Sequence, residues 1–202
     1  KQQFNNVQIN TGDYYFVADS SFTPVFAANE ASKDLTFRLD IDSSAHVDFV
    51  YTIYKDNYMI DFDVRFVGMD NLLSQNQTDL EFAWQNIGLQ NEKGFENENN
   101  YTTIAYKYPS DESVEQLRTS KEGKSETINS KVKWIAFKQQ FFSSVMIAPE
   151  NFSYADMKFT TAEKGSGYIK DFSAKLTVPY TAQTDHYNFA FYFGPNKYAI
   201  LK

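Results

Sequence analysis

The sequence predicts an all-β sandwich. Three observations carry this. Aromatic residues reach 17% of the chain, with 19 Phe and 14 Tyr, and such side chains suit pleated, half-buried surfaces. Apolar and polar residues alternate with a period of two in run after run. Turn signals recur at short intervals, and helical periodicity is almost absent. At 202 residues the chain suits one domain and can bury about 70% of its unfolded surface, so it needs neither disulfide nor metal for stability.

The elements follow in order. Lys1–Asn10 alternates weakly at Val7 and Ile9, and Tyr14–Ala18 follows the Gly12-Asp13 turn as a short strand. Leu35–Ile41 places Leu35, Phe37, Leu39 and Ile41 on one face and Thr36, Arg38 and Asp40 on the other. Val47–Tyr54 and Tyr58–Val67 flank the polar Lys55-Asp56-Asn57 and read as an antiparallel hairpin. In its second arm Tyr58, Ile60, Phe62, Val64 and Phe66 share a face, opposite Asp61, Asp63 and Arg65.

Leu80–Ile87 is the next strand, and Gly88–Asn100 reads as a mobile loop rich in Asn and Glu. Tyr101–Tyr108 is a strand closed by Pro109. Ser110–Lys131 is the most charged stretch and reads as an exposed edge hairpin turning at Lys121–Lys124; charge there discourages strand addition. Val132–Pro149 differs from the rest. Trp134–Phe137 and Val145–Ala148 are apolar without alternation, as expected of a central strand pair covered on both faces. Tyr154–Thr161 and Tyr168–Tyr180 follow, the latter with Phe172, Ala174, Leu176, Val178 and Tyr180 on one face. His186–Phe193 gathers Tyr187, Phe189, Phe191 and Phe193; Gly194 breaks it, and Pro195 suits the first turn of a helix carrying Tyr198 and Leu201.

Composition excludes several classes. A net charge of -7 argues against nucleic acid and against an electrostatic grip on anionic lipid. Without cysteine there is no thiolate metal site, redox pair or disulfide. No run of about twenty apolar residues is present to span a membrane. The chain opens at Lys1 with neither initiator Met nor signal peptide, and reads as an excised piece of a longer protein.

Signals for catalysis are weak. His46 and His186 are the only histidines; His186 follows Asp185, and His with a carboxylate is the acid–base pair of a mutarotase-like sandwich enzyme. Strand-edge histidines in polar company are more often simply exposed. Asp40 with Asp42, and Asp61 with Asp63, have the spacing for calcium or paired carboxylate chemistry, but they are also the polar half of alternating strands. Tyr106, Tyr108 and Tyr154 lie near strand ends, where an aromatic cleft would show exposure. No nucleophile elbow, phosphate loop or zinc-protease motif occurs.

The wording of two segments goes further. Trp134 opens a strand; Gln139-Gln140-Phe141-Phe142, then Ser143-Ser144 and Pro149, follow it. Near the C-terminus Tyr192-Phe193-Gly194-Pro195 precedes Lys197. In order and spacing these segments, with the long Val50–Val67 hairpin, resemble the periplasmic domain of the YidC-type membrane protein insertases. Gln140 stands where that family has His, and Phe141 where it has Tyr.

The resemblance implies a β-supersandwich, two large antiparallel sheets face to face with a short C-terminal helix. Residues 1–194 would form the periplasmic domain and 195–202 the start of a helix leading to the next transmembrane segment. Trp134, Gln139, Phe141, Phe142, Pro149, Gly194 and Pro195 would be the structural family motif. The family inserts and folds inner-membrane proteins alone or with the Sec translocon. The implied partners are therefore the translocon with its accessory subunits and nascent membrane proteins, at the periplasmic face of the inner membrane. A non-catalytic domain without cofactor is expected. The competing readings are a secreted carbohydrate-binding or mutarotase-like β-sandwich and a periplasmic scaffold module.

Overall fold

A computed structural model describes residues 2–4, 7–69, 77–181 and 184–196. In chain order its elements are β1 (Gln2–Phe4), β2 (Val7–Ile9), β3 (Val17–Ala18), β4 (Ser32–Asp40), β5 (His46–Tyr54), β6 (Met59–Val67), β7 (Asp79–Leu89), α1 (Phe95–Tyr101) and β8 (Thr103–Lys107). Then come β9 (Glu115–Gln116), β10 (Gly123–Ile128), β11 (Val132–Lys138), β12 (Phe142–Phe152), β13 (Tyr154–Thr161), β14 (Tyr168–Pro179) and β15 (His186–Pro195). Apart from the small β1–β2 pair, the strands form two antiparallel sheets with one short helix, the predicted all-β sandwich. The chain divides into two compact units, Lys1–Leu80 with Pro179–Phe191 and Glu81–Val178 with Tyr192–Lys202.

In the first unit the strand order is β3-β4-β5-β6 followed by the first part of β15. Leu35 lies opposite Tyr51 and Tyr51 opposite Phe62, so period-two alternation stacks aromatic rings along one face. Tyr51 stacks on Phe62 at 4.7 Å, Phe49 meets Phe62 edge-on at 5.5 Å, and Phe16 stacks on Phe49 at 4.6 Å. Phe62, Val64 and Phe66 are buried, as the alternation predicted. Beyond β6, Gly68 has φ +64° and a Cβ there would lie 2.2 Å from the Ser44 carbonyl oxygen, so the close turn requires glycine.

In the second unit β10-β13-β14-β7 form one sheet, while the end of β15 with β12, β11, β8 and β9 belong to the other. Phe137 of β11 sits between Trp84 of β7 and Phe172 of β14, with centroids 4.0 and 5.0 Å away and planes within 20° and 13°. Each of these stacked pairs joins one sheet to the other. Trp134, Ile135, Ala136 and Phe137 are all buried, and so are Val145, Met146 and Ala148, which explains the lack of alternation in these strands.

Several expectations are corrected. Ser110–Lys131 is not a hairpin: β9 pairs with β8 in one sheet and β10 with β13 in the other. Each arm follows its own apolar residue, Leu117 and Ile128, both buried. Gly88–Asn100 is not a plain loop, because β7 runs to Leu89 and α1 follows. Its seven residues show no apolar period; the buried Glu98 carboxylate holds it by accepting the N–H groups of Asn91 at 3.0 Å and Glu92 at 3.0 Å. The strand after Gly12 is only Val17–Ala18.

β15 does not stop at Gly194 but runs to Pro195, which is therefore not in a helical turn. Its covered face also switches, from Phe189 to Tyr192 and Gly194, which leaves Phe193 exposed instead of beside Phe189. The helix predicted to carry Tyr198 and Leu201 lies outside the described residues. Tyr106 is buried and not part of an open cleft; its hydroxyl donates to Glu126 at 2.8 Å, and burial pushes its pKa up.

Candidate functional site

The two segments that carry the resemblance meet. β11 and β12 are joined by a tight turn in which the Gln139 N–H donates to the Phe142 carbonyl at 2.9 Å. One residue past β15, Asn196 grips this turn. Its backbone N–H donates to Phe141 O at 2.8 Å, and its Nδ2 donates to Gln139 O at 2.8 Å and Gln140 O at 3.1 Å. Its Oδ1 accepts the Ser143 hydroxyl at 2.6 Å. A carboxamide offers two N–H donors and one acceptor oxygen, and all are engaged here. The fully buried Tyr192 donates its hydroxyl to Pro195 O, fixing the peptide that presents Asn196.

Of the seven predicted motif residues, the structure gathers Gln139, Phe141, Phe142 and Pro195 around this clamp. Gly194 is buried within β15 beside them in sequence. Trp134 lies further along β11, buried, paired opposite Ile147 and Lys107. Pro149 lies toward the other end of β12. There the pairing jumps from Trp134↔Ile147 to Val132↔Phe152, so β12 bulges, and a residue without an N–H is tolerated in the bulge. Asn196 was not singled out from the sequence. The signal was present, an Asn directly after Gly-Pro, but its partners lie more than fifty residues away.

The turn is braced from other elements of the same unit. Lys138 donates from Nζ to Tyr101 O at 3.0 Å, and burial lowers its pKa. A Cβ at Gly88 would lie 2.7 Å from Gln139 Nε2, so the missing side chain makes room for Gln139. Deeper in, Lys170 is completely buried. Its Nζ donates to Asn99 O at 3.1 Å and to Thr102 O, at the C-terminal end of α1, where the carbonyls favour a cation. The same Nζ lies 4.3 Å from the centre of the Phe159 ring, and burial pushes its pKa down to about 8.

Chemistry elsewhere is taken up locally. Asp48 is buried and receives Arg38 through Nε and a terminal nitrogen, both at 2.8 Å; this pairing lowers its pKa, and His46 approaches it at 3.5 Å. Asp61 accepts the Tyr54 hydroxyl at 2.6 Å, Asp63 accepts Arg65 at 2.9 Å, and Asp42 accepts the backbone N–H groups of Ser44 and Ala45. His186 meets its exposed neighbour Asp185 at 2.7 Å, beside a groove of about 480 Å³ lined by Asp63, Arg65, Phe66 and Asn188. A second, wide groove of about 710 Å³ runs over Asn86, Ile87, Lys158 and Asp171. Among the described residues no three His, Asp or Glu side chains are grouped to hold a metal ion. Asp61 and Asp63 lie on the polar face of β6, whereas Asp42 lies beyond the end of β4 in the turn it caps, so it does not share a strand face with Asp40; no observation favours the sugar-enzyme reading.

Comparison with known proteins gives the family. Residues 2–202 match the family model described as the YidC periplasmic domain. The chain is 38% identical over 197 residues to the membrane protein insertase YidC of Bacteroides fragilis, covering 96% of this chain and 30% of that protein. It is 36% identical to the protein of the same name from Azobacteroides pseudotrichonymphae, covering 98% of this chain and 31% of the relative. It is also 36% identical to that of Phocaeicola vulgatus, covering 97% and 30%. The chain thus spans about a third of the length of the curated relatives it matches. With the match running from residue 2 to 202, and relatives 36–38% identical along nearly the whole chain, the chain belongs to the YidC periplasmic domain family.

Proposed function

We propose that this chain is the periplasmic part of a membrane protein insertase that inserts and folds inner-membrane proteins, alone or with the Sec translocon. The observation that carries the reading is the family match along the whole chain, to relatives named as insertases. The domain itself is non-catalytic and takes no cofactor. Insertion belongs to the membrane-embedded remainder of a multi-pass parent, and the sandwich serves as a partner-binding or supporting module on the periplasmic face. Its partners are translocon accessory subunits and nascent membrane proteins.

Residues 1–194 act as the domain body and 195–202 as the lead into the next membrane segment. The grip of Asn196 on the β11–β12 turn supports a stiff junction there, because four hydrogen bonds hold the departing chain to the sheet. Family motif residues Trp134, Gln139, Phe141, Phe142, Pro149, Gly194 and Pro195 then hold the junction and its sheet in shape. The test is complementation of a strain depleted of its own insertase. Pro195→Gly or deletion of Tyr198–Leu201 is expected to slow growth more than replacing the charges of Glu112–Glu126. Equal growth of the two classes would sink the junction role. Copurification of translocon subunits with the full-length protein, lost when residues 1–194 are removed, is the expected sign of partner binding.

A further inference from the structure

One end of the second unit carries large apolar side chains in water. Leu89, Tyr101, Phe141, Phe142 and Phe193 are each exposed by 46 to 56%. They come from four separate segments that hydrogen bonds and close packing bring to one place. Lys138 ties Tyr101 to the end of β11, Gly88 packs against Gln139, and Asn196, three residues after Phe193, is bonded to Phe141 O. Scattered single apolar residues on a surface need no explanation, but a group gathered on one end does. Tyr101 is of the type enriched at the level of lipid headgroups, and Phe and Leu are side chains that interfacial segments bury at the headgroup–acyl boundary. The backbone beneath them is held by the Asn196 bonds, so the tips are presented in a fixed arrangement.

We propose that this end of the domain rests in the interface of the lipid bilayer, with Phe141 and Phe142 entering the headgroup–acyl boundary. The inference rests on the functional reading above, in which the chain continues past Pro195 into the membrane. The occupant is lipid because the group lies at the end of the unit where the chain leaves the sheet, at Asn196, which is bonded to Phe141 O. With a net charge of -7 the contact depends on apolar insertion and not on anionic headgroups. It therefore forms equally on phosphatidylcholine alone and in high salt.

The test uses the full-length protein, with its other cysteines replaced, in phosphatidylcholine nanodiscs containing spin-labelled lipid. Environment-sensitive fluorophores are placed singly through Phe142→Cys, Tyr101→Cys, Lys131→Cys and Lys202→Cys. Lys131 precedes β11, whose seven residues hold it roughly 23 Å from the turn at 3.3 Å per residue. The expected result is a blue shift and loss of fluorescence at positions 142, 101 and 202, with position 131 unchanged. Quenching at 202 but not at 142 or 101 overturns the inference and leaves the functional reading standing. No quenching at 202 overturns that reading and this inference with it. A blue shift at 142 that lipid does not quench and that grows with protein concentration means a second copy covers the patch, and also overturns it.

Discussion

Asn196 Oδ1 accepts the Ser143 hydroxyl at 2.6 Å across a sequence separation of 53 residues, and this bond closes the junction between β12 and the end of β15. The same carboxamide donates to Gln139 O and Gln140 O, so one side chain satisfies three groups of the β11–β12 turn. Asn196→Ala leaves all three without these partners and is expected to cost about 1–3 kcal/mol. Asn196→Asp is expected to cost at least as much, because a carboxylate cannot donate to two carbonyls and repels them. Urea unfolding midpoints of the two variants check both expectations. Unchanged midpoints would show that solvent replaces the clamp without loss.

Gly68 supplies an independent test at the end of β6. Its φ of +64° and the 2.2 Å approach of a built Cβ to Ser44 O forbid a side chain without moving backbone. Gly68→Ala is expected to destabilise the chain by more than about 1 kcal/mol. Gly165→Ala, at φ +92° but with open space around the Cβ, is expected to be milder. Thermal unfolding of both distinguishes steric clash from backbone strain alone. Equal losses would assign the whole effect at Gly68 to φ.

How much of this was legible in the sequence depends on the range of the contacts. Strands from β4 to β6, and β13 and β14, were readable because their patterns are local; β6, β13 and β14 bury mainly one face, whereas β5 buries Val47 on one face and Asp48 and Val50 on the other. The doubly covered β11–β12 pair was readable because its apolar runs lack alternation. The split of Ser110–Lys131 between two sheets was not, since the burial of Leu117 and Ile128 in different places is a property of packing. Helix α1 was hidden because a buried Glu98 cap and Lys170 hold it, and both resemble surface residues in a sequence. The motif residues were legible only as resemblance; Asn196, which joins them, becomes visible once β11, β12 and β15 are adjacent.

Lys170 makes stability depend on pH with a defined sign. Its pKa is 10.5 when exposed and about 8 in the fold, where burial disfavours the ammonium. Below pH 8 both folded and unfolded chains carry the proton, and the fold bears the full cost of a buried charge. Between pH 8 and 10.5 the folded chain releases the proton while the unfolded chain keeps it, so stability rises with pH. The rise is expected to be about 1–3 kcal/mol. It is best read below pH 10, before Tyr106 and Tyr187, whose pKa values are raised, begin to oppose it as unfolded tyrosines ionise. Lys170→Met lessens the rise, leaving the part that Lys138, whose pKa burial also lowers, contributes, and it costs stability at pH 7 because Asn99 O and Thr102 O lose their donor. Urea midpoints from pH 7 to 10 check the slope. A flat profile in the parent chain would place the Lys170 proton on the same side in both states.

The stack of Trp84, Phe137 and Phe172 should hold the two sheets of the second unit together, and exposure decides how to test it. Phe137 is 1% exposed between two rings at 4.0 and 5.0 Å, whereas Phe142 is 56% exposed. Phe137→Leu removes both ring contacts and leaves a gap that rigid sheets cannot fill. A loss of about 1–3 kcal/mol is expected, with a change in the near-ultraviolet circular dichroism of Trp84. Phe142→Leu deletes a ring that is more than half exposed to water, so it is expected to change stability by less than about 0.5 kcal/mol. Measured together in thermal unfolding, the two substitutions remove the same atoms from an enclosed and an open position. Equal effects would mean that enclosing the Phe137 ring adds nothing, and that Ile135 and Met146, on the same face of β11–β12, carry the sheet-to-sheet contact alone.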